Sequence, residues 1–559
     1  MNRLQMDKYA AGGAEALERM EQASLRAPQI SLETLMRVIR GNENTEYGRK
    51  YDFRSIHSYA DYAKKVPFSE YEDYEPYLER MITFGAKNLI TASDVQFFAH
   101  TSGTSGASKM IPRTRQELEI LYRDIFLRAF ALWEKENDAR KKGRLLGPRG
   151  VNFMETQIRF TPAGVSHGAI SETLNHPEDT KLCSVLPEEL IYPAADFDRR
   201  HVKLLFALRD KHLSFMMSTF SPMIHDMVVY LQRHWRELCD DLQAGRIGEK
   251  VPVDPRLRAK LNNMLTPDPG RAEEIRRIME KHADGAFVPE IWPDLRLVAC
   301  VGTAAFASYM EKVRQHLGPD IAVDYLGYVA SESTVAAQIK EGEEACMLLP
   351  YSGFYEFIPV DGGSQTEEVP VLMDQLEAGR EYELIVTNLS GFYRYRIGDV
   401  IRVTGFHNKC PMIVFSYRKS QLVSMYGEKI DESVMQNSVE KLSKESGTRI
   451  FEYSVYPDVD SDPGRYIVLL ESDEEVGPDR WQYYSDILEQ KLYDAHDSYR
   501  KKIDQKIMQP LTVCFVQPQT YALYRDLKVM DGASPNQIKP LHVISNDKLK
   551  RFFFALLQR

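Results

Sequence analysis

The spacing of apolar positions changes along the chain, and each change marks a change of architecture. Residues 1–90 carry helical spacing, with tyrosine-rich stretches such as Tyr47 to Tyr62. Asp94-Val95-Gln96-Phe97-Phe98 reads as a strand. After a Ser/Gly-rich loop, Leu118, Leu121, Ile125 and Ala129 recur at helical spacing, on a predicted helix that also carries Arg123 and Arg128. Residues 201–285 read as helices with turns at Pro252, Pro255 and Pro267. The pattern then becomes strand–turn–helix: Leu295 to Val301 runs into Gly302-Thr303 and a helix-like segment, and a second strand, Ile321 to Leu326, leads to a loop through Ser331-Glu332. Between about 350 and 418 short apolar strands, Glu381 to Thr387 and Val400 to Val403 among them, alternate with turns.

Around Tyr417-Arg418-Lys419-Ser420 this gives way to a polar crossing. A smaller α+β unit follows, with a helix over Glu432 to Lys444, a hairpin at Asp462-Pro463-Gly464, a long helix from Arg480 to about Gln505 and a last strand at Leu511 to Val516. The pattern predicts an α/β protein with a boundary near 418–420. At 559 residues, two or more cores are expected on length alone.

Composition narrows the classes. Hydrophobic residues make up 43% and charged residues 27%, ordinary for a globular chain, and the formal charge of −10 argues against nucleic acid as a partner. No apolar stretch has bilayer length and the N-terminus has no apolar leader segment, so no membrane role and a cytoplasmic location are expected. The six cysteines are scattered without zinc-ligand spacing and read as reduced, buried thiols. Asp458 to Gly464 resembles a calcium loop, but Pro463 stands where the turn glycine belongs and Leu469 where the bidentate glutamate belongs.

Three segments carry candidate chemistry. The first, Thr101-Ser102-Gly103-Thr104-Ser105-Gly106-Ala107-Ser108-Lys109, offers hydroxyl donors, approachable backbone N–H groups and a fixed cation, a combination suited to phosphate. It lacks Walker spacing, since only two residues separate its glycines; a flexible linker is the other reading. The second, Tyr325 to Ser333, places Glu332 in a small-residue loop after a strand, where a carboxylate can hold Mg²⁺ and Tyr328 can stack on a base. A Ser-Glu pair there also reads as a helix cap. The third, Gly391 to Val400, sets Asp399 after a glycine at a strand start, suited to ribose hydroxyls or to an Arg/Asp ion pair.

Taken in order, these segments resemble the adenylate-forming superfamily. Leu295 to Thr303 resembles its adenine-side strand and turn, and Arg418-Lys419 with Gly427-Glu428-Lys429-Ile430 resembles its interdomain hinge. Lys539 sits where that superfamily has its mobile lysine. Thr101 to Gly106, Tyr355-Glu356-Phe357-Ile358-Pro359, Thr387 to Asp399 and Val403-Thr404-Gly405-Phe406 look like the auxin-responsive family of acyl acid amido synthetases, a likeness that extends from about 30 to 555. Thr101 replaces the usual first serine, and Val329-Ala330 stands where plant members tend to carry Ala-Ser.

The resemblance implies an α/β fold with a large N-terminal adenylate-forming domain over 1–418, a β-barrel plus α/β sheets, and a smaller, mobile α+β domain over 419–559. It implies ATP and Mg²⁺ as cofactors, a carboxylic acid (indole-3-acetate, jasmonate-like or benzoate-type) and an amino acid as substrates, and a monomer. By the same resemblance Ser102, Gly103, Thr104 and Ser105 contact phosphate, and Val301, Gly302, Thr303, Tyr328 and Ser331 line the nucleotide site. Glu332 holds Mg²⁺, Asp399 the ribose, Arg418 and Lys429 assist, and Lys539 stabilises charge during adenylation. Arg128 is placed facing the acyl carboxylate, with a surface arginine as the other reading; Phe220, Met347 and Phe354 form an apolar pocket wall or core. An acyl-CoA ligase working through the same acyl-adenylate, or a nucleotide-binding module without catalysis, are the alternative functions.

Overall fold

The structure, a computed structural model, describes residues 3–100, 109–132, 149–157, 159–174, 184–282, 285–303, 307–360, 369–418, 425–426, 428, 430, 432–530, 538, 540–544 and 546–559. The chain divides into two compact units, the larger taking in most of the chain up to Ile397 together with Arg402–Val414, the smaller including Gly398–Ile401 and Phe415–Arg559. Among the described residues no helix is long and apolar enough to cross a membrane.

The first strands are β1 Val95–His100, β2 Met110–Thr114, β3 Gly150–Asn152, β4 Arg159–Phe160, β5 Ser166–Ala169, β6 Phe215–Phe220, β7 Leu297–Val301 and β8 Ala322–Asp324. They form two four-stranded sheets, one in the order β2-β1-β5-β4 and one, parallel throughout, in the order β3-β6-β7-β8. Parallel strands are covered on both faces and so read as unbroken apolar runs. Leu297-Val298-Ala299-Cys300 and Phe215-Met216-Met217 are buried accordingly. The core around this sheet includes Trp235 and Leu238 of the helix Ser221–Ala244, Ile275 of Pro269–His282 and Val313 of Ala307–Leu317.

Several strands escaped the sequence pattern, β2 and β6 for identifiable reasons. β2 contains Pro112, which is tolerated because β2 is the edge of its sheet. β6 was expected to be helical because its apolar run continues directly into the helix that follows. A third sheet gathers β9 Gly327–Val329, β10 Thr334–Gln338, β11 Cys346–Leu348, β12 Gly353–Pro359, β13 Glu381–Asn388, β14 Tyr395–His407 and β15 Cys410–Arg418 in the order β12-β13-β14-β15-β11-β10-β9. β14 begins at Tyr395, so Asp399 lies inside a strand rather than at its start.

In the smaller unit β16 Ile450–Asp458, β17 Arg465–Ser472 and β18 Thr512–Val516 form one sheet. Alternation along β17 sends Tyr466, Val468 and Leu470 into one core and Ile467 and Leu469 into another. The first core is closed by the helices Glu432–Ser446 and Trp481–Ala495, the second by Thr520–Met530 and Asp547–Ala555. The long helix expected from Arg480 to Gln505 is broken at His496, which leaves helical geometry and accepts a bond from Tyr499 N at 3.1 Å as the cap of a second helix, Asp497–Asp504.

The helix after β2 is α-helical over Arg115–Leu121 and then widens into a π-helical stretch, Tyr122–Leu127. The N-terminal helix Arg3–Ser24 packs on that stretch at Gly13, where a Cβ would lie 2.3 Å from the Leu127 carbonyl oxygen and 2.7 Å from Ala131 Cβ. Asp124, fully buried, is bound there by Arg19 and by the Tyr351 hydroxyl at 3.0 Å. Backbone cannot yield as a side chain can, so Gly13→Val is expected to destabilise the larger unit by about 1–3 kcal/mol. A urea midpoint equal to the parent's would contradict this close approach.

Candidate active site

The Ser331-Glu332 pair caps no helix. It lies in the turn between β9 and β10, closed by Ala330 N donating to Ser333 O at 2.9 Å. Ser331 Oγ donates to His100 O at 2.8 Å, at the end of β1 and next to the Ser/Gly segment in sequence. Arg113 Nη1 donates to Ser331 O at 3.0 Å, and Asn388 Nδ2 to Glu332 O at 2.9 Å. The Glu332 residue, 5% exposed, therefore stands on a backbone bound on both sides. Tyr328 is half-buried on the edge strand β9. Gly327 allows that edge to form: at φ +144° it lies where a Cβ would be 2.4 Å from Ala336 O.

Val301 pairs in register with Phe220, so the ends of β7 and β6 bring together two residues predicted for the nucleotide and acyl sites. Gly302 and Thr303 follow directly. The carboxyl ends of parallel strands are where open α/β sheets bind ligands, and Phe220 and Thr303 are half-buried there.

At three positions expected to line the acyl pocket the structure shows buried side chains. Arg128 is not a surface residue. It is fully buried, and its guanidinium grips Asp324 through two bonds of 2.7 and 2.9 Å and the Leu326 carbonyl at 2.7 Å. Its Nε donates to Asp124 O at 3.1 Å. Met347 is fully buried in β11, and Phe354 packs between Tyr59 and Tyr62. Both belong to the buried core.

In the third segment the arginines find partners other than Asp399. Arg394 binds Glu356 at 2.8 Å and the carbonyls of Ala63 and Val66, and Arg396 binds Glu383 at 2.8 Å. Asp399, 2% exposed, is paired with Arg418 at 2.5 Å, so the smaller unit joins two residues that the sequence placed in separate roles. Ser102, Gly103, Thr104, Ser105, Lys429 and Lys539 lie outside the described residues, as does Cys183; the other five cysteines are free and buried.

Sequence reasoning missed a histidine pair. His100 Nε2 and His167 Nδ1 are 2.8 Å apart in rings inclined by only 2°, brought together by the parallel pairing of β1 with β5. Burial first, then His167 and Arg159, push His100 down to about 4. Between pH 6.5 and 4 the unfolded chain binds a proton that the folded chain refuses, so stability falls as pH falls through that window. His100→Gln is expected to flatten this slope; urea midpoints at pH 7, 6 and 5 that decline as steeply as the parent's would contradict it.

Among the described residues no cluster of three or more His, Cys, Asp or Glu side chains could cage a metal ion. A single carboxylate in a tight turn instead suits Mg²⁺, an ion that keeps its waters and leans on substrate phosphates.

Residues 16–322, 346–418 and 432–548 match the GH3 family N-terminal, central and C-terminal domains respectively. The chain is 28% identical over 545 residues to a probable indole-3-acetic acid-amido synthetase GH3.1 of Arabidopsis thaliana, covering 94% of this chain and 90% of that one. It is 25% identical to the jasmonoyl–L-amino acid synthetase JAR4 of Nicotiana attenuata, covering 94% and 92%. Among solved structures it is similar to AtGH3.15 acyl acid amido synthetase in complex with 2,4-DB, with a TM-score of 0.83 at 22% identity over 98% of this chain and 97% of that one.

Proposed function

Since the chain belongs to the GH3 family, we propose that it is an ATP- and Mg²⁺-dependent acyl acid amido synthetase, a ligase that adenylates a carboxylic acid and passes the acyl group to the amine of an amino acid. The named relatives act on indole-3-acetic acid and jasmonate, and the acid here is of that class or benzoate-like. The reading has the enzyme working as a cytoplasmic monomer.

In the first half-reaction a carboxylate oxygen attacks the α-phosphorus of ATP and pyrophosphate leaves. Both reactants are anionic, and their repulsion in a partly dry cleft is large unless fixed positive groups and dipoles offset it. Ser102, Thr104 and Ser105 supply hydroxyl donors to the phosphates, and Lys539, with Lys429, supplies positive charge near the α-phosphate. Glu332 holds Mg²⁺, which when bound screens the phosphate charge. Tyr328 with Val301, Gly302 and Thr303 receives the adenine, Ser331 holds the nucleotide-side turn, and Asp399, oriented by Arg418, receives the ribose. In the second half-reaction the amine nitrogen attacks the acyl carbon, AMP leaves and the ammonium proton is lost. Positioning carries this step, because AMP is already a good leaving group.

The observation that carries the reading is the Glu332 turn, a carboxylate whose backbone is bound on both sides between the edge strand β9 and β10. Acid-dependent ATP–pyrophosphate exchange over a panel of aryl, indole and cyclopentanone acids tests adenylation. Mass analysis with amino acids or coenzyme A then tests the acceptor. An amide is expected; no acid-dependent exchange, or a thioester with no amide, would overturn the proposal.

A further inference from the structure

Beneath the Ser331-Glu332 turn lies a closed circuit of buried polar residues from three separate parts of the chain. Arg113, at the end of β2, is fully buried. It donates from Nη1 to Ser331 O at 3.0 Å and from Nη2 to Thr334 Oγ1 at 3.4 Å, and its Nε lies 3.6 Å from Glu117 Oε2. The Glu117 carboxylate accepts from the Ser390 hydroxyl and from Thr114 N at 3.2 Å. Ser390 N donates to Asn388 Oδ1 at 3.0 Å, as does Phe392 N at 2.9 Å, and Asn388 Nδ2 returns to Glu332 O at 2.9 Å. The ring therefore joins the start of the helix Arg115–Leu121, the turn carrying Glu332 and the turn after β13.

We infer that Arg113, with Asn388, is a positioning residue: it fixes the backbone of the Ser331-Glu332 turn so that the Glu332 carboxylate meets the divalent ion of the bound nucleotide at a set place. The inference rests on the assignment of Glu332 to that ion. The carbonyls on both sides of the Glu332 Cα are held, so the carboxylate can move only by its own side-chain rotations. A guanidinium can do this because its donors form a rigid fork that bonds Ser331 and Thr334 while its charge lies beside Glu117; an ammonium is a single point that cannot span all three. Misplacing a reacting group by about 1 Å can cost about 100-fold, which is the scale on which such a brace matters.

The structure suggests two lesions of different kind. Arg113→Lys keeps a cation beside Glu117 but loses the fork. Asn388→Asp keeps the oxygen that accepts from Ser390 N and Phe392 N but loses the donor to Glu332 O. Mn²⁺, read by electron paramagnetic resonance in the presence of a non-hydrolysable ATP analogue, reports on the ion directly, and Glu332→Gln serves as the reference. Both variants are expected to weaken Mn²⁺ binding at least tenfold. Nucleotide affinity without divalent ion should stay within twofold of the parent, and the melting temperature should fall only modestly. A purely structural role would lower the melting temperature and leave the Mn²⁺ affinity alone. If Glu332→Gln loses Mn²⁺ while the folded variants bind it within twofold of the parent, the positioning role is overturned and the assignment of Glu332 stands. If Glu332→Gln binds Mn²⁺ like the parent, both fall. Should Arg113→Lys not fold, Asn388→Asp alone decides.

Discussion

Exchanging Glu332 for glutamine is expected to lower acid-dependent ATP–pyrophosphate exchange by roughly 100-fold or more. Glutamine matches glutamate in shape, and the bonds to the backbone oxygens of residues 331 and 332 and from the Ser331 hydroxyl do not run through the carboxylate. In the proposed role, what disappears is a full negative charge that would hold a hard cation against phosphate oxygens, a contribution of several kcal/mol, and each 1.4 kcal/mol is about tenfold in rate. Raising the Mg²⁺ concentration should recover part of the loss. Exchange within threefold of the parent would remove Glu332 from the metal site.

Asp324→Ala is expected to destabilise the larger unit by about 3–5 kcal/mol, because it strands the Arg128 guanidinium in a fully buried site. The carboxylate meets that group through two bonds, of 2.7 and 2.9 Å, at the end of β8. Asp324 Oδ1 also accepts from Leu326 N at 2.7 Å, and Leu326 sits at φ +62°, uncommon for a side chain of its kind. The pair thus holds the backbone that leads from β8 into the Glu332 hairpin. Replacing both partners by apolar residues, Arg128→Met with Asp324→Leu, is expected to restore most of the stability, since it removes the uncompensated charge as well as the attraction. Urea unfolding followed by near-ultraviolet dichroism measures both; a single variant within 1 kcal/mol of the parent would show that solvent reaches the arginine.

Much of this architecture was legible where local sequence and burial agree. β7, β8 and β13 show as apolar runs bounded by turns, and the hairpin of β16 and β17 turns at the Asp-Pro-Gly that predicts it. The segments carrying Glu332 and Asp399 were legible as motifs because small residues and a carboxylate lie close together in sequence. What was hidden depends on distant partners. Pro112 argues against a strand until β2 is known to be an edge. Arg128 looked available to a substrate because nothing near it in sequence announces Asp324, 196 positions away. His100 and His167 meet only through the β1–β5 pairing, and Arg113 reaches Ser331 across 218 positions. Periodicity reports which face of an element is apolar; it does not report which ion lies opposite.

The π-helical stretch Tyr122–Leu127 has a consequence for how this chain tolerates insertion and deletion. A π turn accommodates one residue more than an α turn, so removing a single residue here would let the helix wind as an ordinary α-helix while leaving all that follows facing nearly the same way about its axis. Arg128 would then still face Asp324, whereas a deletion in the α-helical turns Arg115–Leu121 would rotate Arg128 by about 100° and act as though the ion pair itself had been cut. Single-residue length variation among homologous chains should therefore fall at these six positions rather than in the α-helical turns before them, where it would survive only if the arginine and the aspartate were lost together.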